Sequence, residues 1–419
     1  MPSTTTPSLW RHPDFRRLWA GQTASQLGEQ TSLVIVPLIA VLTLNAGADQ
    51  VGALRAVGQA PLFLLTLFAG VWVDKWRTRT VMVLADLGRA LALATTAALA
   101  AALGLPALAA VAFLLGSLSV LFDVAYQSSL VRLVRRDQLL QGNSAIEGSR
   151  SAAQIGGPAL GGTMTSLLSA PIAAASAALF FVVSFVSIAR MRHRETIPAP
   201  PASPARMWRQ IHQGLRFVAG HSLLRTVCLA SAAFQFSFAA VMTAYLVFLP
   251  RELHLSGAAV GLVLAATGPG ALAGSLLAAR LPAALGYGPV LVAAAAIGDG
   301  VMLFVPGLRG GSPATIVALI VVNLLVGAFG QLVNVTIMAV RQAVSPPAMQ
   351  GRITATITFA GMGATPAGSL LGGILADRWG LRTALLIAAA GMMMSPTLMA
   401  LSPLARLGRV LPAADARPD

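Results

Sequence analysis

The sequence predicts an all-α integral membrane protein of twelve transmembrane helices, arranged as two six-helix pseudo-repeats. Three observations carry this. Hydrophobic residues make up 56% of the chain and charged residues only 10%, against about a quarter charged in a soluble domain. The apolar stretches run to about 20 residues or more, the length a helix needs to cross a bilayer. The chain also repeats itself: Val131-Arg132 and Gln141-Gly142 return as Val340-Arg341 and Gln350-Gly351, and Val51-Gly52 returns as Val260-Gly261, all at an offset of 209 residues. In each half the basic turn joins the fourth apolar stretch to the fifth, so the repeat unit is six spans.

Taken in order, the spans fall near 19–44, 51–73, 79–103, 106–129, 143–168 and 171–190 in the first half. Those of the second fall near 223–249, 257–281, 287–307, 313–340, 353–376 and 382–404. The 40 glycines and 25 prolines predict kinks in some of them. The expected organisation is therefore a first half over 1–190, a cytoplasmic linker over 191–221, a second half over 222–405 and a short cytoplasmic tail over 406–419. The linker holds Pro198, Pro200, Pro201 and Pro204, which favour an extended tether. Its second part, from Ala205 to Ala219, is able to lie on the inner surface as an amphipathic helix, with Arg206, Arg209 and Arg216 toward anionic headgroups.

A net charge of +15 raises the question of nucleic acid, and the positions of the basic residues answer it. Of the 29 Lys and Arg, 22 fall on the side that holds both termini, including Arg132, Arg135, Arg136 and the seven arginines from Arg190 to Arg225. Arg251, Arg309, Arg378, Arg382 and Arg55 fall on the other side. Positive residues collect in the cytoplasm, so both termini are expected there, in a bacterial cytoplasmic membrane, and the basic excess needs no nucleic-acid partner. The single cysteine, Cys228, permits no intramolecular disulfide and no cysteine metal site. The first 17 residues are polar, and no cleaved leader is expected. No cofactor or metal is expected, and with no H-E-x-x-H pattern the sequence reads as a non-enzyme.

Between the second and third spans runs Gly70-Val-Trp-Val-Asp74-Lys75-Trp-Arg77-Thr-Arg79. It resembles the cytoplasmic turn of the major facilitator superfamily, with Arg77 where that pattern has glycine and Thr78 where it has its first arginine. The resemblance implies the major facilitator fold and makes Gly70, Asp74, Lys75 and Arg79 a cytoplasmic gate motif; read without it, Asp74 is a solvated turn residue. It implies that Asp123, at the inner end of span four, joins the motif through Arg79. A second copy, Gly373-Ile-Leu-Ala-Asp377-Arg378-Trp-Gly380-Leu-Arg382, follows span eleven on the outer side, where it is expected to join helices rather than gate the cytoplasm. Span five carries Gly157, Pro158, Gly161 and Gly162. These small residues allow close helix packing and are similar to an ending found in superfamily exporters; Pro366, Gly368, Gly372 and Gly373 echo them in span eleven. Phe15-Arg-Arg-Leu-Trp19, Ala85-Asp86-Leu-Gly-Arg89 and Leu249-Pro250-Arg251-Glu252 extend the resemblance over almost the whole chain. They look like the branch that holds enterobactin exporters, macrolide-efflux proteins and transmembrane secretion effectors.

A charge at the bilayer centre costs roughly 2.5–3.5 kcal/mol on insertion scales, so ionisable residues within spans are functional candidates. Glu29 lies about ten residues into span one, which in the superfamily lines the central cavity. It is a candidate to bind and release a proton, or to pair structurally with an arginine. Gln26 shares its face, and Gln235, Asn323 and Gln331 are candidate cavity residues of the second half, with Tyr245 and Asn334 beside them. Asp86 with Arg89, and Glu147 with Arg150, are three residues apart and are expected to form buried ion pairs. Asp299, in span nine, receives no role. No G-x-x-x-x-G-K-S/T loop supplies ATP energy. The expected function is export of amphipathic small molecules by a monomer working through alternating access, with protons as the counter-ion. Uptake, or movement of lipid by the same fold, is the alternative.

Overall fold

The computed structural model describes residues 9–98, 104–134, 138–168, 170–192, 204–346 and 349–411; of residues 66–75 and 204–211, among others, it describes the backbone only. Among the described residues there is no β-strand. The first six long helices are α1 (Pro13–Leu42), α2 (Ala48–Lys75), α3 (Thr78–Ala98), α4 (Leu105–Leu133), α5 (Leu139–Leu167) and α6 (Ala170–Ala189). A shorter α7 (Pro204–Gly220) leads into α8 (Ser222–Arg251). The rest are α9 (Gly257–Ala265), α10 (Thr267–Ala278), α11 (Leu281–Leu285), α12 (Tyr287–Gly300), α13 (Pro313–Val344), α14 (Gln350–Trp379), α15 (Leu381–Met392) and α16 (Met394–Ala400).

Local chemistry sets the helix ends. His12 caps α1 by accepting from the Phe15 amide at 3.3 Å, with Pro13 at the first helical position, where its missing N–H costs nothing. Ser312 caps α13 in the same way through the Thr315 amide, ahead of Pro313. Three expected spans are interrupted. The eighth divides into α9 and α10 at Ala266, the ninth passes from α12 into a 3-10 segment over Val301–Gly307, and the twelfth divides at Met393. Pro269, Pro306 and Pro396 stand just beyond or within these breaks. Each lacks a donor and crowds the carbonyl four residues back.

Ten helical segments among the described residues are long and apolar enough to cross a membrane. The other two expected spans, α2 and α5, have 28 and 29 residues; α5 is more polar, and the side chains of 66–75 in α2 lie outside the described residues. Large apolar side chains such as Leu91, Leu179, Leu276 and Phe304 are exposed. A lipid environment accommodates them where water would not.

The helices form two compact units: Met1–Leu44 with Ala60–Pro201, and Asn45–Gln59 with Ala202–Asp419. Phe15, Leu18, Met82, Phe122, Tyr126, Ile146 and Ile188 build the core of the first. Leu224, Val227, Leu291, Val340, Ile353 and Met399 build that of the second. The run 45–59, expected with the first half, belongs to the second unit because Gly52 lies directly on α14. A Cβ there would stand 2.7 Å from the Ser369 carbonyl oxygen, and Ser369 donates to Gln59 Oε1 at 3.1 Å. The expected linker contains α7, which packs on α8 and α14; residues 193–203 and the tail from 412 lie outside the described residues.

Glycine sets the tightest crossings. In the first unit a Cβ on Gly161 would stand 2.9 Å from the Thr31 carbonyl oxygen of α1, and one on Gly157 would overlap Gln30. In the second, Cβ atoms on Gly368 and Gly372 of α14 would overlap the backbone of Phe236 and Ala240 in α8. The two small-residue pairs thus bring the fifth span of each half onto its first, the close backbone approach that such pairs permit in membranes.

Candidate transport site

Helices α1, α3, α4 and α6 converge on Arg89, whose side chain is fully buried. Asp86, one turn earlier on α3 and equally buried, holds the guanidinium at 2.5 Å. Arg89 also donates to Ser25 Oγ at 2.8 Å and to Ser119 Oγ at 3.1 Å. Its flat face lies between two rings, 4.6 Å from the centroid of Phe122 and 4.5 Å from that of Phe181. Ser184 of α6 closes the set by donating to Asp86 Oδ2 at 2.5 Å. A buried charge survives only when paired and hydrogen-bonded. Here four helices supply those partners, and the two ring faces each add about 0.5–2 kcal/mol.

Glu29 sits one helical turn beyond Ser25 and is held differently. Its Oε2 is 3.9 Å from Arg89 Nη1, beyond hydrogen-bonding distance, and is buried with no hydrogen-bond partner. The side chain as a whole keeps 24% of its surface exposed. One turn before it, Gln26 is buried and donates to Asp123 Oδ1 on α4 at 3.3 Å. Asp123 also lies within electrostatic reach of Glu29, Arg89 and Arg150. Ser149 of α5 donates to Gln22 Oε1 at 3.1 Å. The cluster thus sets the carboxylates Glu29, Asp86, Asp123 and Glu147 against two guanidiniums, Arg89 and Arg150. Such an arrangement favours the arrival of positive charge, as protons or as a cation.

The other expected site residues divide clearly. The Asp86–Arg89 pair is buried as expected. Glu147 and Arg150 do pair, at 3.8 Å, but the expectation of burial is corrected: Glu147 is 64% and Arg150 41% exposed. Spacing places two residues on one helix face without saying what that face meets. Asn323 and Tyr245, read as cavity candidates, are buried against each other; Asn323 donates to Tyr245 Oη at 2.8 Å and to the Leu319 carbonyl at 2.9 Å, tying α13 to α8. Gln235 and Gln331 are half-buried. Of the gate motif, Gly70, Asp74 and Lys75 fall in α2 where side chains lie outside the described residues. Arg79 donates to the Ala189 carbonyl at the end of α6. The second motif copy joins helices: Gly380 ends α14 at φ +81°, and Arg382 donates to the carbonyls of Pro306 and Leu308 at 2.6 and 2.8 Å and pairs with Glu252 at 3.3 Å. Asp299 is buried with Oδ2 unpartnered.

The serines and aromatics around Arg89 escape sequence reading. Ser119, Phe122, Phe181 and Ser184 look like ordinary residues of apolar spans, and only the tertiary fold brings them to α3. Among the described residues no group of His, Cys, Asp and Glu is arranged to hold a metal ion.

Two helical units, membrane-length segments and a buried charge cluster within one unit define a multi-pass membrane transporter of the major facilitator fold. Residues 3–416 match the family described as transmembrane secretion effector, and the chain belongs to it. Among its relatives is the multidrug efflux pump Tap of Mycobacterium tuberculosis (strain ATCC 25618 / H37Rv), 27% identical over 402 residues that cover 90% of each chain. Another is the uncharacterised MFS-type transporter YfiS of Bacillus subtilis (strain 168), 26% identical over 384 residues and 88% of each chain. In structure the chain is similar to a bacterial homologue of the iron transporter ferroportin, with TM-score 0.75 and 18% identity over 94% of this chain and 98% of that one. It is also similar to a bacterial homologue of the lysosomal transporter Spinster, with TM-score 0.72 and 12% identity over 96% and 98%. At these identities the structures establish the fold.

Proposed function

We propose that the protein exports amphipathic small molecules across the bacterial cytoplasmic membrane in exchange for protons, with Glu29 as the group that carries the proton. The likeness to multidrug efflux pump Tap over 90% of the chain supports the direction and the substrate class. The observation that carries the proton role is the contrast on Arg89. Asp86 neutralises the guanidinium through a short buried bond, whereas Glu29 approaches it at 3.9 Å with Oε2 unpartnered and part of its side chain accessible.

The steps follow from these positions. Protonated Glu29 is neutral, and the remaining cluster is less negative. When the site turns to the cytoplasm the proton leaves, and the carboxylate regains its attraction to the Arg89 edge and to a cationic substrate. Substrate arrival and proton release are thereby linked through one charge, as alternating access between two states requires. Asp123, tethered to Gln26, serves as the second carboxylate of the same field. Asp74 closes the cytoplasmic side, both termini lie in the cytoplasm, and the monomer is the working unit.

Vesicle transport of a fluorescent cationic drug under an imposed pH gradient tests the reading. Glu29→Gln is expected to abolish accumulation against the gradient while leaving binding of a neutral substrate intact. Full gradient-driven accumulation by Glu29→Gln removes Glu29 from the mechanism.

A further inference from the structure

Beside α7 the second unit carries an open groove of about 650 Å3, lined by Arg216, Phe217, His221, Met349 and Arg352 among others. It lies within the second unit and is built by one close approach. Gly214 of α7 lies on the first turn of α14, where a Cβ would stand 2.8 Å from Thr356 Oγ1 and 3.0 Å from the Arg352 carbonyl oxygen. That contact brings two arginines, Arg216 and Arg352, to one groove. Arg352 Nη1 donates to Gln213 Oε1 at 2.7 Å, which orients the head without neutralising it. Among the described residues neither Arg216 nor Arg352 forms an ion pair with a carboxylate, and none of those lining the groove is acidic.

The rest of the lining is of opposite character. Phe217 and His221 stack with centroids 6.1 Å apart and planes at 25°, and Met349 extends the apolar surface. Burial holds the His221 imidazole below its ordinary pKa, so at neutral pH it adds a ring and not a third charge. Next to Arg216, Leu215 is 55% exposed. Two cations without a carboxylate partner among the described residues, in one groove with apolar side chains, match a ligand with an anionic head and a hydrocarbon body. A free phosphate would leave Phe217 and Met349 bare, and a neutral amphiphile would leave both arginines unanswered.

We propose that this groove is a binding site for an acidic phospholipid of the inner leaflet, its phosphate held between Arg216 and Arg352 and its first acyl carbons on Phe217 and Met349. The lipid would fasten α7 to α14 at the end of the second unit that we place in the cytoplasm. The site is independent of Glu29 and of the transport reading.

Lipid titration of the purified full-length protein, followed by native mass spectrometry, tests it with phosphatidylglycerol, phosphatidylcholine and inorganic phosphate as separate probes. The wild type is expected to bind phosphatidylglycerol in preference to phosphatidylcholine. Each of Arg216→Gln and Arg352→Gln should weaken that binding about fivefold, the worth of one basic residue at an anionic membrane surface, and Arg216→Lys should retain most of it. Arg216 is exposed and unpaired, so Arg216→Gln reads the site even if Arg352→Gln disturbs the α7–α14 contact. No preference for phosphatidylglycerol, or an unchanged preference in Arg216→Gln, overturns the proposal. Displacement of the lipid by millimolar inorganic phosphate also overturns it, in favour of a free anion as the ligand.

Discussion

Arg89 is held by Asp86 at 2.5 Å and approached by Glu29 at 3.9 Å. Both carboxylates face the same guanidinium, yet only the first is locked, by Ser25 and Ser184 as well as by Arg89. Asp86 is bonded on both oxygens, whereas Oε2 of Glu29 has no hydrogen-bond partner.

The locked pair predicts a stability effect. Arg89→Gln leaves Asp86 charged, buried and unpaired, which costs about 3–5 kcal/mol, and the variant should unfold at markedly lower temperature in detergent. Joining it to Asp86→Asn removes the orphaned charge and should recover much of the loss. If the double variant is as unstable as the single one, the pair is not what the site depends on.

Packing predicts a second contrast. Gly372→Leu would drive a side chain into the Ala240 backbone, whereas a Cβ on Gly148 meets nothing within 4 Å. Overpacking costs about 1–3 kcal/mol or more, so Gly372→Leu should lower the folded yield. Gly148→Ala should leave it unchanged or slightly raised, because alanine is the better helix former. Equal yields would contradict the close α8–α14 crossing.

The arginine bias makes a prediction about topology. Reporter fusions at Ala199 and at the C-terminus should report the cytoplasm, and a fusion after Arg309 the exterior. A cytoplasmic signal at Arg309 would reverse the orientation on which proton entry and the lipid groove both depend.

For the gate, Asp74→Asn should leave expression intact, reduce transport and increase labelling of cysteines placed at the inner ends of the helices. Unchanged transport together with unchanged labelling would make Asp74 an ordinary turn residue.

Some of this molecule is written in the sequence and some is not. Apolar lengths and the 209-residue offset announce the two halves, and Pro269, Pro306 and Pro396 mark where spans break. The spacing of Asp86 and Arg89 announces their pair. The same spacing misleads for Glu147 and Arg150, because two residues three apart share a face whether that face meets protein or open space. Asn323 reads as a polar candidate for a cavity wall, yet Tyr245, 78 residues earlier, absorbs it. Ser184 and Phe181 give no local sign of their roles, since Ser184 donates to Asp86, 98 residues away, Phe181 meets Arg89, and only the packing of α3 on α6 unites them. α5 carries Glu147, Arg150 and a run of small and polar residues, which is why its composition does not mark it as a membrane segment although its place in the repeat does.

Glu29→Gln tests the central claim most directly. Inside-out vesicles carrying this variant, energised by an imposed pH gradient, are to be compared with wild type for accumulation of a cationic drug and for equilibrium binding of a neutral one. Proton exchange through Glu29 predicts loss of accumulation with binding of the neutral compound retained. Accumulation at the wild-type level would contradict it and move the proton to Asp123 or Glu147.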